Sequence, residues 1–215
     1  MMSTVLTPPP TPEQILAGMD AAFSSALRPD PALTISEWSD QYRVLSRVSA
    51  GEPGRWRTSR TPFLREIMEC LSPQSPYSRV VYMKPAQIGG SEVLLNMLGY
   101  IIHYAPGPTM LVEPTVELAK RFSRQRIASL IENTPVLAER VSDPRERDSG
   151  NTILAKEFPG GVLVVTGANS SVGLRSMPAR FLLMDEVDAY PPSASSGAAG
   201  TCRMLADVLF SICSL

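Results

Sequence analysis

The sequence predicts an α/β fold in which helices cover a mainly parallel sheet, as a three-layer sandwich. Two observations support this prediction. Short apolar runs, typical of buried strands, alternate along the chain with longer helical patterns. Two of these runs, residues 79–83 and 181–184, lead directly into polar segments. Because parallel strands bring their carboxyl ends to one edge of a sheet, we expect these two polar segments to lie together.

Helices are predicted before the first strand. The prolines at 8–10 indicate a flexible arm. Three helix starts share a capping threonine followed by Pro or Glu at a suitable spacing: Thr11 with Pro12, Thr34 with Glu37, and Thr61 with Pro62. We expect the third of these helices to run to Leu71.

Strands and helices then alternate. Strands are predicted at residues 79–83, 109–112 and 181–184, and two more between 152 and 166 are joined at the turn 159–161. Helices are predicted from Ser91, over 115–133 and over 135–141. The helix from Ser91 is apolar nearly all round, which is typical of a helix packed under a sheet.

Bulk properties indicate a globular protein. The chain has 215 residues, of which 44% are hydrophobic and 19% are charged, as expected for one domain. No apolar run is long enough to cross a membrane, and residues 1–12 lack the pattern of a signal peptide. We therefore expect no membrane association and a cytoplasmic location. The three cysteines have no metal-ligand spacing and are expected to be reduced thiols.

The net charge of −1 gives no overall attraction to DNA. Two local basic clusters are nevertheless candidates for contact with a phosphate backbone: Arg55, Arg57 and Arg60 around Trp56, and Lys120, Arg121, Arg124 and Arg126 on one predicted helix. An aromatic ring among arginines can also support a nucleotide base. The alternative for both clusters is a solvated surface.

Residues 84–92, Lys-Pro-Ala-Gln-Ile-Gly-Gly-Ser-Glu, indicate a phosphate-binding loop between a strand and a helix. In such loops backbone N–H groups surround phosphates, a lysine contacts the terminal phosphates, and a hydroxyl binds Mg²⁺. Gly90 occupies the usual place of the lysine, so Lys84, at the start of the loop, is the lysine that can fold back over the phosphates. An ordinary turn is the alternative. The predicted nucleotide-binding residues are Lys84, Gln87, Ile88, Gly89, Gly90 and Ser91.

The run Phe181 to Met184 followed by Asp185 and Glu186 predicts the second half of a nucleotide-hydrolysing site. The expected metal ligands are Ser91 and Asp185. Glu186 is the candidate base that takes a proton from the attacking water. A strand that runs into an acidic helix cap is the alternative.

A cation near the transferred phosphate is the remaining part that phosphoryl transfer requires. Arg175 and Arg180 are the candidates, because they lie in a polar loop with glycine, residues 167–180, between two apolar runs. Solvated arginines in a surface loop are the alternative.

Four stretches together resemble the N-terminal part of the large terminase subunits of tailed phages, in the lambda-like branch. They are residues 54–67, 84–91, 169–176 and 185–191, within a region from about 36 to 192. The run Asp-Glu-Val-Asp-Ala-Tyr-Pro from Asp185 and the loop Gly-Leu-Arg-Ser from Gly173 are the more specific of these stretches.

The resemblance implies a P-loop NTPase-like fold and an ATPase that uses ATP and Mg²⁺ to drive double-stranded viral DNA into a procapsid. The implied partners are the small terminase subunit, the portal protein and further copies of the same chain in a homo-oligomer. The resemblance also assigns the role of the signature lysine to Lys84, which with Arg175 and Glu186 completes the expected catalytic set.

Three segments are expected: a flexible arm and first helix at 1–33, a partial ATPase domain at 34–192, and a low-complexity or frameshifted tail at 193–215. Large terminase subunits continue through the rest of the ATPase fold into a nuclease domain. We therefore expect a truncated or frameshifted product whose sheet is incomplete at its C-terminus and which does not cleave DNA.

Two other function classes stay open. Superfamily 2 helicases share the loop and the Asp-Glu strand. This chain lacks their Asp-Glu-Ala-Asp/His motif, since Asp188 occupies the fourth place after Asp185-Glu186-Val187, and no second motor domain is present in these 215 residues. A non-catalytic prophage remnant that binds nucleotide or a partner without turnover is the second alternative.

Overall fold

A computed structural model describes residues 11–26, 32–47, 51–85, 88–141, 151–174, 178–191 and 208–214. The chain divides into two compact units, Met1–Ala32 and Leu33–Leu215. The first contains helix α1, Pro12–Ala26. Thr11 caps it as predicted, because the Gln14 N–H donates to the Thr11 hydroxyl at 3.3 Å. No helix in the described part of the chain combines the length and the apolar character needed to span a bilayer.

The second unit is built on a six-stranded sheet that is parallel except at one edge. Its strand order is β3-β8-β7-β4-β6-β5, and β5 pairs antiparallel with β6. The strands are β3 (Arg79–Lys84), β4 (Thr109–Glu113), β5 (Ala155–Phe158), β6 (Gly161–Gly167), β7 (Phe181–Met184) and β8 (Val208–Ser214). Strands β1 (Val44–Leu45) and β2 (Gly54–Arg55) form a separate antiparallel pair. The predicted α/β fold with a mainly parallel sheet is therefore confirmed.

Helices pack against one face of this sheet. They are α2 (Ile35–Tyr42), α3 (Phe63–Cys70), α4 (Gly90–His103), α5 (Val116–Phe122), α6 (Ala128–Asn133) and α7 (Pro135–Ala138), and a short helix α8 (Ser171–Leu174) follows β6. Helix α4 is buried from Val93 to Ile102, as its uniformly apolar sequence predicts. Thr34 and Glu37 form the predicted capping box at the start of α2.

The central strands contribute side chains to both faces of the sheet. In β4, Leu111 joins the large core that contains α4, whereas Met110 and Val112 join a smaller core with Leu182 and Met184. Val187 and Tyr190 pack against the smaller core. Burial on both faces explains why β4 and β7 are apolar without alternation.

Three local features differ from the predictions. Helix α3 begins at Phe63, and the buried Thr61 hydroxyl has no hydrogen-bond partner among the described residues, so Thr61 does not act as a side-chain cap. The helix predicted over 115–133 contains a π-helical segment, Ser123–Ile127. Here the Ser123 hydroxyl donates to the Ile153 carbonyl, which ties this segment to the chain entering β5.

The third difference is strand β8, which lies in the segment expected to be a low-complexity tail. Residues 192–207 are outside the described part, but Val208–Ser214 is a strand between β3 and β7. The run Val-Leu-Phe-Ser-Ile-Cys that begins at Val208 is rich in residues that favour strands, and this explains its insertion into the sheet.

Candidate active site

Three parallel strands place ionisable side chains together at the end of the sheet where their carboxyl ends lie. Lys84 is the last residue of β3, Glu113 is the last residue of β4, and Asp185 directly follows β7. The strands are parallel, so these ends lie on the same side. The two polar segments that the sequence analysis singled out therefore meet, as the topology of a parallel sheet requires.

The loop between β3 and α4 depends on two glycines. Gly89 has φ +88°, a left-handed conformation that glycine adopts without steric cost. Gly90 lies under the Lys84 side chain, and a Cβ added at this position would clash with Lys84 Cδ and Cε. The position that usually carries the loop lysine is thus filled by the stem of Lys84, which is only 6% exposed. Gln87 lies outside the described residues, and Ile88 is half-buried.

Ser91 and Asp185 connect the loop to the end of β7. The Ser91 hydroxyl donates a hydrogen bond of 3.0 Å to Asp185 Oδ2. Asp185 is 3% exposed, and this burial raises the pKa of its carboxyl. The hydrogen bond from Ser91 and the nearby charge of Lys84 oppose this rise. The three residues therefore form one electrostatically coupled group.

Glu186 adopts an unusual backbone conformation. Its φ of 49° makes it the one non-glycine residue with positive φ in the described part of the chain. Its N–H donates to Asp185 Oδ1 at 3.0 Å, and its side chain is exposed. Such a conformation has a cost of roughly 1–3 kcal/mol and is concentrated at functional sites. Adjacent residues thus differ in environment, since Asp185 is buried and Glu186 is exposed.

Glu113 is a site residue that sequence reasoning missed. Its carboxylate is 4% exposed, and its pKa is raised to about 8, first by burial and then by the charges of Asp185 and Glu186. The signal was present in the sequence, since Glu113 ends the apolar run of β4 just as Asp185 follows that of β7. Without the pairing of β4 with β7, nothing in the sequence placed the two side chains together.

Of the two arginines that were candidates for charge stabilisation, the structure describes only Arg180. Arg175 lies outside the described residues and stays a prediction. Arg180 is at the opposite end of β7 from Asp185, where its guanidinium lies 5.1 Å from the centre of the Phe181 ring. Arg180 is therefore not positioned to act at this edge of the sheet.

Arg126 lies near the site. Its place in a basic cluster of the sequence made it a candidate for contact with a phosphate backbone, but in the structure it pairs with an acidic side chain. It forms an ion pair with Glu92, in the first turn of α4, and its charge makes a small contribution against the rise in the pKa of Asp185 that burial causes. Glu92 also pairs with Arg43. Arg126 is thus held by the protein, whereas its neighbours in the predicted basic cluster, Lys120, Arg121 and Arg124, are exposed.

Trp56 is buried, contrary to its interpretation as a support for a nucleotide base. Its ring packs against the Arg43 guanidinium at 5.0 Å from the centroid, and its Nε1 donates to the Thr58 hydroxyl at 3.0 Å. In the sequence, the arginines around Trp56 made it a candidate for supporting a nucleotide base. The arginine that it contacts comes instead from the end of α2.

Comparisons with known proteins place this geometry in a family. Residues 50–207 match the family model described as "Phage terminase large subunit gpA, ATPase domain". The chain is 25% identical over 178 residues to the large terminase subunit of Enterobacteria phage P21, a match that covers 82% of this chain and 27% of that protein. It is 32% identical over 142 residues to the large terminase subunit of Escherichia phage lambda, covering 66% of this chain and 21% of that protein. The chain thus spans about a quarter of the length of these relatives.

A solved structure shares the fold. The crystal structure of the HK97 bacteriophage large terminase superposes with a TM-score of 0.61 at 11% sequence identity, over 85% of this chain and 38% of that one. The family match extends to residue 207, beyond the motifs that end near residue 192. The predicted resemblance to large terminases is confirmed, and the helicase alternative is not favoured. The chain belongs to the family of phage terminase large subunit ATPase domains.

Proposed function

We propose that this chain binds ATP with Mg²⁺ at the edge of the sheet formed by the ends of β3, β4 and β7, and hydrolyses it. The observation that carries the proposal is the arrangement of Lys84 and Ser91. Lys84 lies over Gly90, and Ser91 donates to Asp185 at 3.0 Å. One cation, one hydroxyl and one carboxylate are thereby brought together at the start of α4.

The phosphate group would bind at the N-terminus of α4. This helix runs for 14 residues, and helical geometry leaves the N–H groups of Gly90 and Ser91 without an acceptor inside the helix, whereas the Glu92 N–H donates to the Gly89 carbonyl at 3.0 Å. They also lie at the positive end of the helix dipole, which favours an anion. Lys84 supplies a full positive charge to the same place. Gln87, Ile88 and the two following glycines complete the proposed loop.

The residues present fit a magnesium ion. Ser91 and Asp185 offer one hydroxyl and one carboxylate oxygen, which are donors that Mg²⁺ prefers. In the described part of the chain, no group of three or more His, Cys, Asp or Glu side chains is arranged to hold a metal. That is expected for Mg²⁺ bound to a nucleotide, since this ion keeps several waters and takes other ligands from phosphates. When bound, Mg²⁺ neutralises charge on the phosphates.

Glu186 is the proposed base. Its side chain is exposed, and its backbone N–H donates to Asp185 Oδ1, so the backbone of Glu186 is held next to the Asp185 carboxylate. The buried Asp185 is suited to hold a cation, and the exposed Glu186 is suited to accept a proton from water. Arg175 is proposed to stabilise charge on the transferred phosphoryl group.

The wider role follows from family membership. We propose that residues 34–192 contribute to the ATPase domain of a motor that drives double-stranded viral DNA into a procapsid. Its proposed partners are the small terminase subunit, the portal protein and other copies of the chain, and its proposed location is the host cytoplasm. The P21 and lambda proteins, each named as a terminase large subunit, support this role.

The test is binding of a fluorescent ATP analogue in the presence of Mg²⁺. We expect Lys84→Ala to weaken binding by about 10–100-fold, because a hydrogen bond to a charged group contributes roughly 1.5–3 kcal/mol. Lys120→Ala, which removes an exposed lysine of α5, is the matched control and should bind like the parent.

The same preparation separates binding from chemistry. Glu186→Gln should bind the analogue normally and lose ATP hydrolysis, measured as phosphate release. Normal turnover in this variant would remove Glu186 from the role of base. Binding by the parent without any phosphate release would favour the non-catalytic alternative.

A further inference from the structure

Backbone hydrogen bonds on both sides hold Glu113 in place in the sheet. Its carbonyl oxygen accepts a hydrogen bond of 2.7 Å from the Ala168 N–H. On the other side, the Asp185 N–H donates to the Val112 carbonyl at 3.1 Å. The backbone of Glu113 is therefore held between β6 and β7, and Glu113 lies one position beyond the pair Val112 and Met184, next to Asp185 in the sheet.

The Glu113 carboxylate is buried without the partners that a buried carboxylate needs. Glu113 is 4% exposed, and its Oε1 has no hydrogen-bond partner among the residues that the structure describes. None of the ion pairs found in the described ranges involves Glu113. Burial of a polar atom without a hydrogen bond costs roughly 1–3 kcal/mol. A glutamate at this place therefore opposes folding, and its surroundings contain two further acidic residues.

An unpaired buried acceptor is explained if a ligand supplies the donor. The site beside Glu113 is the one proposed to hold Mg²⁺ through Ser91 and Asp185. Because Mg²⁺ retains several of its waters, it presents O–H donors to acceptors that do not touch the ion. The unpaired Oε1 of Glu113, next to Asp185 in the register of β4 and β7, has the hydrogen-bonding capacity to accept from such water.

We propose that Glu113 is a positioning residue that accepts a hydrogen bond from water bound to the divalent cation held by Ser91 and Asp185. This inference rests on the proposed function. It adds a third carboxylate to the site, from a different strand than Asp185 and Glu186. Acceptors of this kind orient the groups that bind the metal, and their loss typically lowers metal affinity or activity by about 10–100-fold.

The test measures metal binding without turnover. Mn²⁺, detected by electron paramagnetic resonance, is titrated into the protein saturated with a non-hydrolysable ATP analogue. We expect Glu113→Gln to weaken Mn²⁺ binding by at least about tenfold. Glu117→Gln, which alters an exposed glutamate of α5, is the matched control and should bind Mn²⁺ like the parent. Both variants should bind the analogue equally in the presence of EDTA.

The outcomes separate the inference from the proposed function. If the parent binds Mn²⁺ with the analogue and Glu113→Gln has the same Mn²⁺ affinity, the role of Glu113 is refuted and the proposed site stands. A folded parent that binds neither nucleotide nor metal overturns both. If Glu113→Gln does not fold, Glu113→Asp is measured instead, since it keeps the carboxyl group but withdraws it by one methylene. Unchanged Mn²⁺ affinity in Glu113→Asp would also refute the inference.

Discussion

Replacement of Glu92 by Gln is expected to destabilise the fold through Arg43. The Arg43 side chain is 3% exposed, and its Nη2 pairs with the Glu92 carboxylate. Its Nη1 donates to the Glu92 carbonyl at 3.0 Å and to the Asn96 side chain, whereas its Nε has no partner in the described part of the chain. Burial lowers the pKa of the Arg43 guanidinium, and the charge of Glu92 opposes that shift. Glu92 is therefore the counterion that makes burial of this charge tolerable.

The magnitude follows from the environment of the pair. Removal of one partner of a buried ion pair costs roughly 3–5 kcal/mol, because the remaining charge stays buried. Glu92 is 24% exposed, so water reaches this side of the pair. We accordingly expect about 3 kcal/mol, the lower end of that range. For a domain of this size, that loss corresponds to a fall in Tm of roughly 6–12 °C.

The assay is urea unfolding followed by tryptophan fluorescence, which reports on Trp38 and Trp56, both buried in the core around α4. Arg126→Gln is the control. It removes the other partner of Glu92, a side chain that is 31% exposed, and should cost no more than about 1 kcal/mol. A Glu92→Gln protein within about 0.5 kcal/mol of the parent would refute the reasoning, because surface changes usually stay within that limit. The double variant Arg43→Met with Glu92→Gln should recover part of the loss, since it leaves no buried charge.

Two further predictions concern the candidate site. Gly90→Ala places a Cβ against the flexible stem of Lys84. We expect a folded protein whose affinity for the ATP analogue falls about tenfold, because Lys84 is displaced. Gly51→Ala is the control and should bind normally, since nothing lies within 4 Å of the added Cβ. Equal affinity in the two variants would contradict the packing of Lys84 over Gly90. The pH dependence of stability tests the environment of Glu113. The pKa of the Glu113 carboxyl rises from 4.5 to about 8 on folding, so the folded protein binds more protons than the unfolded chain between these pH values. The free energy of unfolding should therefore fall, by roughly a few kcal/mol, as the pH rises through this range. Without nucleotide or metal, chemical unfolding from pH 5 to 8.5 should show this fall in the parent and a smaller one in Glu113→Gln.

Local signals determined much of the fold. Thr34 and Glu37 specified a helix start because the capping box requires only residues three positions apart. The turn at residues 159–161 predicted a hairpin or adjacent strands, and β5 and β6 pair antiparallel around it. The unbroken apolar sequence of α4 specified a buried helix. In each case the information lies within a few turns of one element, where a single sequence is informative.

The candidate site was only partly accessible to the same reasoning. The ends of β3 and β7 were expected at one edge, because parallel strands make this a property of the sheet as a whole. Glu113 was missed because its importance depends on the pairing of β4 with β7, whose segments are about 70 residues apart in sequence. Arg180 was chosen for its loop, but it precedes β7 and so lies at the wrong end of that strand.

The sequence by itself determined the kinds of element, the phosphate-loop pattern and the acidic end of β7, since each depends on backbone preferences and side-chain periodicity over short stretches. Only the tertiary structure decided the insertion of β8 between β3 and β7, the burial of Trp56 against Arg43, and the position of Lys84 over Gly90. These features depend on which distant segments pack together. Which segments pack together depends on how much apolar surface both faces of the sheet bury and on whether each buried charge has a partner. Neither property can be evaluated one segment at a time.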